Sequence, residues 1–227
     1  MKKNYSYIGI SFIILVFGIL FIPKILNRIH NKEIVDADRH NLERKSLQKK
    51  EELVTIGEVP SYKFVNQNSD SISNKSLEGK VYVAEFFFTT CPSICPVMNT
   101  NMKIIQNAFL DEDNFAIASY TINPEYDTPE VLKEYAAKYE VVHPNWHFLT
   151  GNREEIYSLA NKGFNLYVGE APEVEGGFEH SGFFALIDQE GKIRSRIDVN
   201  GNPLIYYDGL EQEGIDMLIE DIKELLK

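Results

Sequence analysis

The chain is expected to fold as an α/β sandwich, a central mixed sheet flanked by helices, preceded by an N-terminal transmembrane helix. Three observations carry this expectation. Residues 81–88 (VYVAEFFF) form a nearly continuous apolar run, as in a strand buried on both faces of a sheet. Apolar strand-like runs then alternate with segments of helical period, and a hairpin and a final helix follow, which is the order of an α/β layer structure. Residues 8–22 (IGISFIILVFGILFI) carry no charge.

The uncharged stretch follows the basic start Met1-Lys2-Lys3. Counted from Tyr5 it reaches about eighteen residues, near the lower limit for a spanning helix. No A-x-A-like site follows; the next residues are Pro23-Lys24-Ile25. An uncleaved anchor over residues 1–27 is therefore expected, with a cleaved signal peptide as the competing reading. Lys2 and Lys3 favour an inside N-terminus and an exported domain, while Lys24, Arg28 and Lys32 pull the other way. The expected location is thus the outer, periplasmic side of the cytoplasmic membrane. Residues 28–57, with stretches such as NLERKSLQKKEEL, read as a charged helical stalk, and residues 58–227 as the globular domain.

Charge is unevenly distributed. Residues 1–50 carry a net +6 and residues 51–227 a net −17, which together give the chain's −11. A domain this acidic repels phosphate backbones, so nucleic acid is not an expected partner.

Within the domain, Tyr62–Val65 and Ser71–Ser73 flank NQNSD, a turn signal, and read as a hairpin. A helix follows residues 81–88, with Met98, Met102, Ile105 and Phe109 on one face. Phe115–Thr121 and Trp146–Thr150 read as further buried strands. Thr128-Pro129-Glu130 is a helix start, an N-cap hydroxyl followed by proline in the first turn. Arg153–Lys162 is a further expected helix. Phe183–Ile187 and Ile193–Asp198 flank Asp188-Gln189-Glu190-Gly191 as a hairpin, and Ile215, Leu218, Ile219, Ile222, Leu225 and Leu226 mark a C-terminal amphipathic helix.

The chemistry concentrates in Phe88-Thr89-Thr90-Cys91-Pro92-Ser93-Ile94-Cys95-Pro96, which holds both cysteines of the chain. Two cysteines so close cannot staple a fold, so they point to redox exchange or metal binding. A thiol between a buried strand and a helix start is favoured as thiolate. The spacing is C-x-x-x-C rather than the C-x-x-C of thioredoxin-type oxidoreductases. On a helix, side chains at i and i+4 share a face with Cβ atoms about 5–6 Å apart, near enough to share a metal or, after adjustment, to form a disulfide. Of the five histidines, His30 and His40 fall in the stalk, and His143 and His147 read as surface or turn residues. His180 sits in the glycine-containing stretch EGGFEHSG before a buried strand, where close backbone approach is easy. Met98 reads as core packing rather than as a soft ligand.

Taken in order, TTCPSICPVM, NPEYDTPEVLKEY, WHFLTG and EHSGFFALID closely resemble the SCO/SenC family of copper chaperones over about residues 58–227. The resemblance implies a thioredoxin-like fold and a copper site formed by Cys91, Cys95 and His180. It also implies that Asp127 belongs to the surroundings of the metal, for which capping of the helix beside Thr128 is the alternative. It implies a metallochaperone rather than an enzyme, which takes copper from a donor and delivers it to the binuclear copper site of cytochrome c oxidase subunit II. The chain departs from the family pattern at Thr90, Ser93 and Asn123, where His, Asp and Asp are common, so the family's partner docking and redox tuning are not carried over while the three ligands are. Two thiolates suit Cu(I), and an added imidazole also suits Cu(II), so His180 on a loop is expected to gate release. The alternatives are a thiol–disulfide reductase that keeps oxidase cysteines reduced through a Cys91–Cys95 disulfide, and a thiol-based redox sensor.

Overall fold

Two strands with no exposed residue form the centre of the molecule: β4 (Val81–Phe87) and β5 (Phe115–Thr121) lie parallel and are buried along their whole length. Such strands require cover on both faces. The computed structural model describes residues 15–17, 22 and 53–227, apart from residues 175 and 199. Except for Leu15–Phe17 and Ile22, the expected anchor lies outside the described residues, as does the expected stalk up to residue 52. Among the described residues, no helix is long and apolar enough to cross a membrane.

The sheet runs β1 (Val54–Glu58), β10 (Lys192–Ser195), β9 (Phe183–Ile187), β4, β5, β6 (Trp146–Thr150), β2 (Lys63–Asn66) and β3 (Ser71–Ser73), and β11 (Tyr207–Asp208) pairs with the start of β9. The β4–β5 and β5–β6 pairs are parallel and the others antiparallel, so the expected mixed sheet is observed. A separate two-stranded hairpin joins β7 (Val168–Glu170) to β8 (Phe178–His180).

The helices are α1 (Cys95–Ala108), α2 (Pro129–Lys138), α3 (Arg153–Ser158) and α4 (Gln212–Leu225). Met98, Met102 and Ile105 of α1 and Ile215, Leu218 and Ile222 of α4 are fully buried, as helical periodicity requires. Thr128 caps α2, its hydroxyl accepting from Val131 N, and Pro129 follows at the first helical position. The segment expected as one helix from Arg153 to Lys162 changes after Ser158 into a π turn, Leu159–Gly163.

Three expectations are corrected. The sheet begins before residue 58: β1, Val54–Glu58, of which all but Glu58 falls in the expected stalk, pairs antiparallel with β10, and Arg194 donates to the Leu53 carbonyl. His143 begins the turn before β6, its carbonyl accepting from Trp146 N at 3.1 Å, but it does not lie on the surface. It is buried edge-on against Phe115, its Nδ1 accepting from Asn145 N at 3.1 Å. His147 lies within β6, half-buried, and burial lowers its pKa.

Gly214 marks a close approach between α4 and β11. A Cβ there would lie 2.1 Å from the Asp208 carbonyl oxygen. Alanine is preferred over glycine inside helices by about 1 kcal/mol, but overpacking against fixed backbone costs about 1–3 kcal/mol. Gly214→Ala is therefore expected to lower the urea midpoint; an unchanged or higher midpoint would show that β11 yields.

Candidate metal centre

Cys91 and Cys95 approach each other, though not as neighbours on consecutive helical turns. Cys95 is the first residue of α1, while Cys91 lies in the turn after β4, its N–H donating to the Phe88 carbonyl at 3.2 Å. The chain bends through Pro92-Ser93-Ile94, and the Ile94 carbonyl accepts from Val97 and Met98 N–H groups at the helix start. Both cysteines are buried and free.

His180 closes the group. It ends strand β8 rather than lying on an open loop, and its Nε2 is 3.2 Å from Cys95 Sγ and 3.9 Å from Cys91 Sγ. The three candidate ligand atoms lie within 4.8 Å of one another. His180 Nδ1 is 3.2 Å from the Ser181 carbonyl, which can only accept. Nδ1 therefore carries a proton, and Nε2 is the ring nitrogen that faces the sulfurs, the orientation of a metal-ligating imidazole. Phe88 lies edge-on to the imidazole, with centroids 5.7 Å apart, and contacts Phe178 at 5.2 Å. The expected close approach of the glycine stretch is present. Gly176 has φ +95°, and a Cβ there would meet Phe88 at 3.0 Å and Pro92 at 3.1 Å.

The two thiols divide one proton unequally. Hydrogen bonding from Cys95 draws the Cys91 pKa down to about 3; burial opposes this and His180 reinforces it. Cys95 moves the other way, raised first by Cys91 and then by burial. The resting pair is one thiolate and one thiol. Cys91, Cys95 and His180 would together offer a soft cation two thiolates and an imidazole, a donor set suited to copper.

Asp127 does not cap α2, a task that Thr128 performs. Its buried carboxylate accepts from Thr89 N at 3.1 Å and from the hydroxyls of Thr89 and Thr121. It thus holds the chain two residues before Cys91. Burial raises its pKa, and the two threonine hydroxyls partly offset this. Met98 is fully buried in the core, Thr90 and Ser93 are exposed, and Ser93 Oγ lies 3.8 Å from Cys91 Sγ.

Several residues near the centre escape a reading of sequence. Glu85 is fully buried in the middle of β4. Its Oε1 accepts from Ser119 at 2.6 Å, Ser119 Oγ accepts from Trp146 Nε1 at 3.0 Å, and among the described residues Oε2 has no hydrogen-bond partner. Burial raises its pKa to about 7. The only signal was one acidic letter inside the apolar run VYVAEFFF. Asn99, one turn into α1, donates to the Cys95 carbonyl at 2.9 Å and the Tyr135 hydroxyl at 3.0 Å. Arg153 forms ion pairs with Glu125 and Glu170.

A family model for SCO1/SenC matches residues 51–213. A SCO1 protein homolog from Bacillus subtilis is 36% identical over 168 residues, covering 73% of this chain and 81% of its own. Among solved structures, BsSco, described as a member of the Sco family of cytochrome c oxidase assembly proteins with a disulfide switch, superposes with a TM-score of 0.65 at 32% identity, covering 79% of this chain and 98% of its own. Yeast Sco1 with copper bound superposes with a TM-score of 0.56 at 27% identity, covering 74% of this chain and 89% of its own. With its thioredoxin-like fold and its cysteine pair facing a histidine, the chain belongs to the SCO1/SenC family.

Proposed function

We propose that this chain binds one copper ion through Cys91, Cys95 and His180 and delivers it to the binuclear copper site of cytochrome c oxidase subunit II. The observation that carries this reading is the convergence of two thiol sulfurs and an imidazole Nε2 within 4.8 Å, with the other ring nitrogen already turned to a carbonyl. The yeast relative solved with copper supports the choice of metal, and the membership of BsSco in an oxidase-assembly family supports the recipient. The uncharged residues 8–22 tether the domain to the outer face of the cytoplasmic membrane. Cu(I) needs only the two thiolates, and imidazole completes a three-coordinate site that also accommodates Cu(II). Because His180 ends a strand, its withdrawal requires the β7–β8 hairpin to shift, rather than a loose loop to swing.

A thiol–disulfide reductase is the second reading, favoured by the unequal protonation of the pair. Cys91 as thiolate would attack and Cys95 would resolve the mixed disulfide. Anaerobic copper titration separates the two. One copper per chain with a thiolate–Cu(II) absorption band, weakened or shifted in His180→Ala, is the expected result. Equal retention and transfer of both oxidation states by His180→Ala would remove His180 from the site. Catalytic disulfide turnover without stable copper would favour the reductase.

A further inference from the structure

We infer that Arg153 is the positioning residue that fastens the histidine-bearing hairpin to the cysteine-bearing loop. The inference deepens the copper-site reading and rests on it for its functional consequence. Arg153 opens α3, fixed in place by Asn152, whose side chain caps the helix by accepting from Glu155 N at 3.1 Å. From there its guanidinium reaches two carboxylates on different elements. Nε donates to Glu125 at 2.9 Å and Nη2 to the same oxygen, while Nη1 donates to Glu170.

Each carboxylate leads to one half of the metal centre. Glu170 belongs to β7 and lies opposite Phe178 of β8; His180 follows two residues later, opposite Val168. Glu125 sits in the turn closed by Asp127 N donating to the Asn123 carbonyl at 2.9 Å, and Asp127 holds Thr89, two residues before Cys91. The Arg153 guanidinium also lies 6.0 Å from the Phe178 ring centroid, and Phe178 is 5.2 Å from Phe88. Phe88 in turn packs on the imidazole. The hairpin is a sheet of its own. Among the described residues, its other polar side-chain ties to the domain are the thiol contacts of His180 and Asn161, which brackets Val168 at the base.

A single exposed ion pair contributes little. Here one planar fork serves two acids that would otherwise repel each other, and it adds a face to an aromatic ring. Lysine, a point charge, reproduces the charge but not the fork. The Glu125 and Glu170 side chains are 59% and 57% exposed, so salt weakens the clasp.

The test compares wild type, Arg153→Gln, Arg153→Lys and Glu170→Gln as full chains. Two readouts are used: amide hydrogen exchange across residues 168–180 without copper, and the rate of copper loss to a thiol chelator. In Arg153→Gln and Glu170→Gln, hairpin exchange is expected to accelerate and copper loss to rise by about fivefold to tenfold, the scale of an interaction near 1 kcal/mol. Their thiolate–Cu(II) band should move toward that of His180→Ala, with Arg153→Lys intermediate. Added salt should speed copper loss from wild type but not from Arg153→Gln. Unchanged hairpin exchange in both neutral variants overturns the inference. So does acceleration spread over the whole domain in Arg153→Gln with none in Glu170→Gln, since that is a general loss of stability. Should hairpin exchange accelerate while wild type holds no copper at these residues, the clasp stands and the copper reading falls.

Discussion

Cys95→Ser is expected to abolish stable copper binding while leaving the domain folded. Cys95 Sγ is the sulfur nearer the imidazole, at 3.2 Å, and it is fully buried at the first position of α1. A serine hydroxyl there stays protonated at neutral pH and is a hard donor, so a soft cation keeps one thiolate and one imidazole. Changes to groups that merely orient a ligand cost about 10–100-fold in affinity, and loss of a ligand should exceed that. Burying a hydroxyl in place of a thiol lowers stability by about 1–3 kcal/mol, so circular dichroism should still report the native fold. Cys91→Ser should lose copper equally, but the two variants part in thiol chemistry. With Cys95 replaced, Cys91 should still attack a disulfide reagent and stay trapped as the mixed disulfide; with Cys91 replaced, attack should be slow. Near-stoichiometric copper retained by Cys95→Ser in anaerobic titration would mean that the metal sits elsewhere.

How much of this was legible in the sequence depended on whether the governing contact was local. The central strands announced themselves because burial on both faces leaves an apolar run, and Thr128-Pro129 announced α2 because capping is a matter of neighbouring residues. Val54–Glu58 did not, since a half-exposed edge strand gains its identity from β10, far along the chain. The same holds for β7 and β8, three residues each and mostly polar. The cysteine spacing discloses a paired function, though helical i, i+4 geometry does not describe the pair, since only Cys95 is helical. His180 was reached through family resemblance, because its convergence on Cys95 joins residues 85 positions apart. Asp127, like His180, is reached through family resemblance; Arg153 and Glu85 are charged letters like any others until folding shows which partners they meet.

Glu85→Gln is expected to remove a pH-dependent loss of stability. The Glu85 carboxyl is wholly buried, and burial raises its pKa from 4.5 to about 7. The folded state thus holds this proton more tightly than the unfolded state does. Below about pH 4 both states are protonated and the stabilising difference is fully present; it is lost as pH rises through 7. A shift of this size corresponds to roughly 3 kcal/mol. Glutamine keeps an oxygen to accept from Ser119 and has no charge to desolvate, so the variant should match wild type near pH 4 and exceed it by roughly 3 kcal/mol at pH 8. Urea unfolding at intervals between these limits measures the gap. Asp127 is also buried with a raised pKa and contributes a dependence of the same sign, but it is present in both proteins and cancels in the difference. Tyrosines raised by burial titrate only above this range. A gap that stays flat from pH 4 to 8 would therefore mean that Glu85 is charged in the folded protein and compensated by something other than Ser119.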